Sequence, residues 1–589
     1  MSGPAVVEHR HSGLARFAPG LAQLRRYDRS WLRPDLVAGL VLAAILVPQG
    51  MAYAQLAGLP AVTGLYTTIA CLVGYAIFGP SRLLVLGPDS SVSPLIFAAI
   101  VPILGASKDP ADAIALAGVL ALLVGAIEIG LGVAKLGFVA DLLSKEVQVG
   151  YMNGLAIVIV VGQLPKLFGF STDADTFVAE ITSFVQSLGQ TNPATLAVGL
   201  GTLAVLLVLP RVSRKLPAIL IGIAGATVLS AVLDLSAHGV KTVGALPRGL
   251  PSPSIPWTEV SDLWPLLVAA LGITMVSLTD TIATSTSFSA RRGEEVNPDQ
   301  EMIGLGAANV AAGVFQGFAV STSGSRTAVA EQSGAKSQVT GLVGAGTVAL
   351  LLLFLNSLLA DLPQTALAAV VITAAFSLMD LPAVRRYARV RRTALTVSLT
   401  ATVGVVFLGV LPGILVAIAL SILIFFRRTW SPHGEVLGRV EGRGWHSVTS
   451  WDRAEHAPGI VVFRWEAPLI FANSGLFRQQ VRSLVREKQA RWVVLECEAV
   501  TDVDVTAAEM LDQLDKQLND KGVHLAFVEL RTRLHDLVLA YGLFETLDRD
   551  HFYPSIEAAL TAIAASDAAD GGAGRAGPPR GEEPGGGPG

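Results

Sequence analysis

Two short stretches of this 589-residue chain carry the groups best suited to holding an anion. In the first, Leu86-Gly87-Pro88-Asp89 runs into Ser90 and Ser91; in the second, Ser321-Thr322-Ser323-Gly324 runs into Ser325 and Arg326. Each polar run leads into an apolar segment, Pro88 to Ile103 and Ser325 to Ala335. Neither reaches the roughly 20 residues that cross a bilayer as a helix. A helix that starts inside a membrane leaves its first backbone N–H groups unpaired and carries about half a positive charge there. Two such N-termini aimed at one point make an anion site in low dielectric before any basic side chain is added. Ser90, Ser91, Ser323 and Ser325 would add hydroxyls, Gly324 would allow close backbone approach, and Arg326 would bring a fixed charge. The same serines suit plain helix capping, a role compatible with anion binding; Arg326 would then turn to lipid headgroups or a carboxylate.

Other candidates lie on single helical faces. Gln49 and Tyr53 share one face at i and i+4, with ordinary helix packing as the plain alternative. Asp89 is the odd residue, because a carboxylate beside a bound anion repels it, and three readings compete. It stabilises the half-helix N-terminus through the dipole, it pairs with Arg326 and sets the pocket charge, or it is protonated together with the substrate. Asp280 and Thr284 stand one turn apart in LGITMVSLTDTIATS. A carboxylate and a hydroxyl on one face suit a small hard cation, which prefers oxygen ligands. The same carboxylate could take a proton instead, or simply be packed and bonded to backbone. Ionisable groups within membranes mark function by default. Glu128 reads as structural, and Glu331 with Lys336 as a pair at the inner end of the second short segment.

The elements that must position these groups are membrane helices. Hydrophobic residues make up 52% of the chain and charged residues 15%, with mean hydropathy +0.56; soluble domains sit near about 45–50% and about 25%. The charges cluster outside Asp35 to Arg428, and two or more apolar runs of about 20 residues, enough to span the hydrocarbon core, exclude a soluble enzyme. Fourteen apolar segments are read, at 35–56, 61–79, 88–103, 111–134, 146–164, 194–209, 216–233, 262–287, 303–319, 325–335, 338–358, 365–379, 393–409 and 411–427. The two short ones fall third in each set of seven, and paired interrupted segments point to an inverted repeat with its binding site at the midplane. With the N-terminus inside, the basic clusters from Arg82 to Arg428 face the cytoplasm, and Lys108, Lys166, Lys241 and Arg248 face out. That is the positive-inside pattern. The expectation is a multi-pass plasma-membrane protein with both termini cytoplasmic.

Domain bounds follow from composition. Residues 1–30 form a polar, Arg-rich cytoplasmic segment without a cleavable signal peptide, and Leu14 to Tyr27 suits an amphipathic helix on the membrane surface. Residues 31–430 form the transmembrane region, 431–458 a linker, 459–565 a soluble α/β domain, and 566–589 a disordered Gly/Ala/Pro tail. In the soluble part, Gly459 to Trp465, Trp492 to Cys497 and Val523 to Val528 read as strands. Ser474 to Gln489, Thr506 to Lys521 and Arg533 to Gly542 read as helices, so a small sheet covered by helices is expected. The soluble part holds no nucleophile–base or metal constellation. The net charge of −4 says little about partners, and no nucleic acid is expected among them. Cys71 and Cys497 lie in different parts of the chain and are not expected to pair.

The run DLVAGLVLAAILVPQGMAYAQLAGLPAVTGLYTTIACLVGYAIFGPSRLLVLGP from Asp35 to Pro88 resembles the opening of the SulP family of anion transporters. The resemblance continues in Glu301 to Asn309, in Ser325-Arg326-Thr327 and in Leu362 to Leu367. VVLECEAVTDVDVTAAEML, from Val493 to Leu511, resembles a STAS domain. The resemblance implies seven plus seven inverted segments, with segments 1–4 and 8–11 as a mobile core and 5–7 and 12–14 as a gate. It also implies a homodimer working as an elevator. Gln49 and Tyr53 would line the anion pocket, as a donor and an aromatic wall. Relatives that import bicarbonate with sodium pair an Asp and a Thr at the Asp280–Thr284 spacing, so Asp280, Thr284, Ser323 and Ser325 would hold Na⁺. Anti-sigma relatives of the soluble domain carry a phosphorylatable Ser where Val505 stands here, which makes a phosphoswitch doubtful and favours a docking role. The leading expectation is secondary transport of sulfate, bicarbonate or a dicarboxylate, coupled to Na⁺ or H⁺. An uncoupled exchanger or channel, a nucleobase permease and a STAS-coupled sensor are the alternatives.

Overall fold

A computed structural model describes residues 18–105, 109–172, 176–213, 216–451, 454–455, 457–543, 547 and 549–573. The chain divides into two units, Met1–Ile422 and Leu423–Gly589. The first is helical: α1 (Pro19–Arg25), α2 (Leu32–Leu56), α3 (Ala61–Phe78), α4 (Ser93–Leu104), α5 (Pro110–Val133), α6 (Lys145–Phe168), α7 (Phe177–Gln186), α8 (Pro193–Val212), α9 (Ala218–Val232), α10 (Val260–Ala290) and α11 (Pro298–Val314). Then come α12 (Gly324–Gln332), α13 (Val339–Phe354), α14 (Gln364–Leu378), α15 (Leu381–Val390), α16 (Arg392–Leu408) and α17 (Val410–Trp430). Each of the fourteen expected segments has its helix. Seven helical stretches among the described residues are long and apolar enough to cross a membrane, and several shorter apolar helices accompany them.

Local chemistry sets several helix starts. Proline stands in the first turn of α5, α8 and α11, where its missing N–H costs nothing. The Asp109, Asn192 and Asn297 side chains just before them accept backbone N–H groups of the first turn. Two helices were not foreseen, α7 and α15; α1 covers part of the amphipathic helix expected from Leu14 to Tyr27, of which residues before 18 lie outside the described chain. The Gln23 amide of α1 donates to the Pro80 carbonyl, so α1 packs on the end of α3.

The membrane helices pack in two sets. In one, α2, α3, α5, α11 and α13 pack together; in the other, α6 packs on α8, α14 and α16. Lipid is as apolar as leucine, so close approach of small residues rather than hydrophobic burial drives such packing. The α5–α11 seam shows this. A Cβ on Gly125 would lie 2.6 Å from the Gly306 carbonyl oxygen, and one on Gly313 would lie 2.8 Å from the Gly118 carbonyl oxygen. Glycines at seven-residue spacing let the two backbones touch.

Between the two short helices and their approaches runs a two-stranded sheet, β1 (Leu86–Gly87) against β2 (Ser321–Thr322). The strands are antiparallel, with Leu86 opposite Thr322 and Gly87 opposite Ser321. The pairing brings the starts of α4 and α12 to one place. α4 begins at Ser93, later than expected, because residues 89–92 form a turn closed on the Asp89 side chain.

The second unit holds a six-stranded mixed sheet of order β4-β3-β5-β6-β7-β8. Its strands are β3 (Gly434–Val440), β4 (Gly444–Ser447), β5 (Ile460–Trp465), β6 (Trp492–Glu496), β7 (His524–Val528) and β8 (Phe552–Tyr553). β5 to β8 are parallel, and β3 and β4 antiparallel. Its helices are α18 (Ser474–Lys488), α19 (Val505–Asn519), α20 (Thr532–Ala540) and α21 (Ile556–Ala573). Residues alternate between faces with period two. Val461, Phe463, Val493, Leu495, Leu525 and Phe527 enter one apolar layer; Val462, Val494, Ala526 and Val528 enter another with Ile556, Ala559 and Ile563.

Two expected boundaries are corrected. Residues 431–458 are not a plain linker, because β3 and β4 lie there and extend the sheet by antiparallel pairing. The tail expected from 566 starts later: α21 continues to Ala573, its alanines favouring helix, and residues 574–589 lie outside the described chain. Cys71 and Cys497 are both buried and unpaired, as read from the sequence.

Candidate functional site

The site is built at the β1–β2 crossing. The Ser323 N–H donates to the Val85 carbonyl at 3.1 Å, and the Val85 N–H donates to the Thr327 hydroxyl at 3.1 Å. Neither α4 nor α12 has a side-chain cap on its first turn. On α4 the Ser93, Leu95 and Ile96 N–H groups donate to the Asp89 and Val92 carbonyls, so the partial positive charge offered to another partner is that of the α12 start.

Arg326 stands in the first turn of α12 and is buried, with 1% of its side chain exposed. Its Nη1 donates to the Pro88 carbonyl at 2.7 Å, which straps α12 to the approach of α4. Gly87 makes the room, since a Cβ there would come 2.8 Å from Nη1. Nη2 lies 3.6 Å from Asp89 Oδ2, and neither Nε nor Nη2 has a hydrogen-bond partner among the described residues. Unpaired buried N–H groups on a guanidinium are costly. They are donors waiting for an acceptor.

Asp89 stands in the turn before α4 and faces Arg326. Its Oδ1 accepts from the Ser91 N–H and hydroxyl, both at 3.0 Å, shaping the turn before α4, while Oδ2 faces Arg326. Ser90 and Ser91 are buried, and the Tyr53 phenol reaches the Ser90 side chain. Gln49, one turn before Tyr53 on α2, is buried with its Oε1 unpartnered. Gln49, Tyr53, Asp89, Ser90, Ser91 and Arg326 thus belong to one neighbourhood. The Ser323 and Ser325 hydroxyls lie 3.1 Å apart; Ser323 is buried and Ser325 exposed.

Asp280 is half-buried on α10. Its Oδ1 accepts from Gln148 Nε2 of α6 at 3.4 Å, and Ser91 lies beside it. Thr284, one turn on, faces Gly324, with its Oγ1 3.9 Å from where a glycine Cβ would stand. Thr284 therefore stands beside the Ser323–Ser325 turn, with Asp280 one helical turn away on α10.

The support around the site includes Glu128, read from the sequence as structural, and partners that the sequence did not single out. Glu128 of α5 accepts from Ser277 at 2.5 Å and from the Asn309 amide at 2.8 Å. This orients the Asn309 carbonyl oxygen to accept the Val320 N–H at 2.7 Å, just before β2. Thr281 of α10 donates to Thr322 of β2 at 2.9 Å. Asp35 accepts from the Lys336 and Ser337 N–H groups and from the Ser337 and Thr340 hydroxyls, capping α13 from α2. One expected pair is corrected: Glu331 faces Arg291 and Arg292 at 3.6 and 3.8 Å, not Lys336, whose backbone is taken by Asp35. The α12 end stops at Gly334, which turns the chain with φ +93° and leaves Glu331 beside the end of α10.

In the soluble unit, Asp504 caps α19, accepting the Ala507 N–H at 2.8 Å and the Phe471 N–H at 2.7 Å. Val505 follows as the first helical residue, exposed and without a hydroxyl.

The comparisons with known proteins agree with this architecture. The model of the sulfate permease family matches residues 32–401, and that of the STAS domain matches residues 453–559. A probable sulfate transporter of Mycobacterium tuberculosis is 42% identical over 93% of this chain and 98% of its own length. Probable sulfate transporter 3.3 of Arabidopsis thaliana is 31% identical over 87% of this chain and 84% of its own. Among solved structures, the murine Slc26a9 anion transporter in the inward-facing state superposes with TM-score 0.85 at 25% identity, covering 95% of this chain and 96% of that one. The transmembrane domain of a cyanobacterial bicarbonate transporter, BicA, superposes with TM-score 0.59 at 22% identity over 67% of this chain and 98% of that one, a likeness of fold. From the match over residues 32–401 and the relatives that span nearly its whole length, the chain belongs to the sulfate permease family, a family of anion transporters rather than enzymes, and ends in a STAS domain.

Proposed function

We propose that the chain is a secondary active transporter that moves a small oxyanion, sulfate before bicarbonate or a dicarboxylate, across the plasma membrane together with Na⁺ or H⁺. The observation that carries this reading is Arg326, buried where the two half-helix starts meet, with Nε and Nη2 unpartnered among the described residues. Guanidinium forks and helix N-termini both suit tetrahedral oxyanions. The probable sulfate transporters of Mycobacterium tuberculosis and Arabidopsis thaliana among its relatives favour sulfate.

Coupling follows from charge. One guanidinium, Arg326, faces the Asp89 carboxylate, and Asp280 lies close by. An anion entering that neighbourhood meets the Asp89 and Asp280 carboxylates, with the Arg326 guanidinium as the buried fixed cation facing Asp89. At an effective dielectric near 20, each unscreened pair of charges about 4 Å apart is worth about 4 kcal/mol. A Na⁺ on Asp280, Thr284, Ser323 and Ser325, or a proton on Asp280, removes one of the opposing charges. Movement of α4, α10 and α12, together with the set they pack on through α2 and α5, against the set built on α6 and α14 would carry anion and cation together, an elevator step. A second copy of the chain as partner belongs to the same proposal.

The test is uptake of labelled sulfate, bicarbonate and fumarate into proteoliposomes holding the purified protein. Saturable sulfate uptake, competed by unlabelled sulfate more strongly than by the other two, is expected. Uptake of none of the three above empty vesicles would remove the reading.

A further inference from the structure

α6 belongs firmly to its own helix set. The Ser144 N–H before it is held by the Ser421 hydroxyl of α17 at 2.7 Å. Its Gly150 carbonyl accepts from Thr402 of α16 at 2.8 Å, and Asn153 accepts the Asp380 N–H before α15 at 3.0 Å. Extensive packing of α6 is with α8, α14 and α16. Toward the anion neighbourhood it reaches with two polar side chains spaced i and i+3. Gln148 donates to Asp280 at 3.4 Å, and the buried Tyr151 hydroxyl donates to the Ser91 carbonyl at 3.2 Å. Lys145 donates to Gln148 Oε1 at 3.2 Å. That bond turns the amide so that its N–H₂ faces Asp280.

We infer that Gln148 and Tyr151 form a latch holding the anion-carrying helices against α6 until a cation takes Asp280. The inference rests on the coupled-transport reading above. The logic is competition for one carboxylate. Gln148 holds Asp280 through a bond to a charged acceptor while Asp280 is unoccupied; a cation bound to Asp280 draws off that charge, competes for the same oxygen and weakens the hold. The remaining strap, Tyr151 to a backbone carbonyl, is neutral and weaker. Without a cation the carrier stays latched, so an anion alone cannot ride across. Coupling would then come from a hydrogen bond that the cation must displace, in addition to charge balance in the pocket. Gln148 and Tyr151 are positioning residues in this account, since they act through Asp280 and Ser91.

The experiment compares full-length wild type, Gln148→Leu, Gln148→Glu and Tyr151→Phe in proteoliposomes. The quantity read is sulfate uptake without any cation gradient divided by uptake with the effective one, with bicarbonate used if sulfate is not carried. A hydrogen bond to a charged group corresponds to about a tenfold change or more in an equilibrium. Gln148→Leu and Gln148→Glu are therefore expected to raise that ratio about tenfold, Tyr151→Phe several-fold, and to lower the half-saturating cation concentration while the anion KM stays within twofold. A merely structural role would lower all fluxes together and the melting temperature with them. An unchanged ratio in all three variants, beside a coupled wild type, overturns the latch alone. A wild type that takes up anion equally with and without every gradient overturns the coupled reading itself, and the latch with it.

Discussion

Replacing Arg326 by lysine separates the charge of the anion site from its shape. Arg326 is 1% exposed, bonded to the Pro88 carbonyl through Nη1, and offers Nε and Nη2 without partners. A lysine keeps the positive charge but has no planar fork and no Nε donor. If a bound oxyanion accepts from Nε and Nη2, each bond is charge-assisted and worth about 1.5–3 kcal/mol. Loss of even one corresponds to about ten- to a hundredfold in affinity. Arg326→Lys is thus expected to raise the KM for sulfate uptake at least about tenfold in proteoliposomes. Alanine is the poorer probe, because stranding Asp89 and the Pro88 carbonyl in a buried site costs about 3–5 kcal/mol of stability. The melting temperature of the detergent-solubilised lysine variant should stay within a few degrees of wild type. A KM within twofold of wild type, in a protein of normal stability, would show that the unpaired guanidinium donors do not meet the anion.

Three further outcomes follow from the packing and the caps. Gly125→Ala places a Cβ 2.6 Å from the Gly306 carbonyl oxygen and is expected to lower stability by about 1–3 kcal/mol; Gly130→Ala on the same helix meets nothing within 4 Å and should leave the melting temperature unchanged or slightly raised. Glu128→Leu strands the buried Ser277 and Asn309 side chains and frees the Asn309 amide to turn away from Val320, so it is expected to cost about 2–4 kcal/mol in thermal unfolding and to slow uptake more than Glu128→Gln, which keeps an acceptor for one of the two. Asp504→Ala removes the acceptor of both the Ala507 and Phe471 N–H groups and should cost the soluble unit about 1–2 kcal/mol, read as an earlier unfolding transition in calorimetry of the whole protein, with sulfate transport as a second readout.

What the sequence makes legible is what is periodic or punctuated. Long apolar runs, prolines in first turns and the two polar interruptions before Ser90 and Ser325 place fourteen helices and mark the crossing. The pairing of Leu86 with Thr322, over two hundred residues apart, is implied once both interruptions are read as half-helix starts. The residues that hold the crossing together are of another kind. Glu128, Asn309, Thr281 and Asp35 act through partners on other helices, and one sequence without its contacts does not show that Asp35 caps a helix beginning near Val339. Gln148 and Tyr151 are equally quiet, since a polar residue on a membrane helix points to any of several neighbours. Glu331 illustrates the cost of local reasoning: Lys336 is nearer in sequence, but Gly334 turns the chain and the end of α10 supplies the arginines. β3 and β4 were hidden for a different reason. Their residues, rich in glycine and charge around Glu441-Gly442-Arg443-Gly444, lack the β-branched alternation of the central strands.

The most direct test of coupled anion transport is accumulation of labelled sulfate by wild type and Asp280→Asn under an imposed Na⁺ gradient and, separately, an imposed proton gradient. Wild type is expected to concentrate sulfate above the external level under one of the two gradients, and Asp280→Asn to lose that accumulation while folding normally. Accumulation by Asp280→Asn equal to wild type, or wild-type uptake indifferent to both gradients, would contradict it.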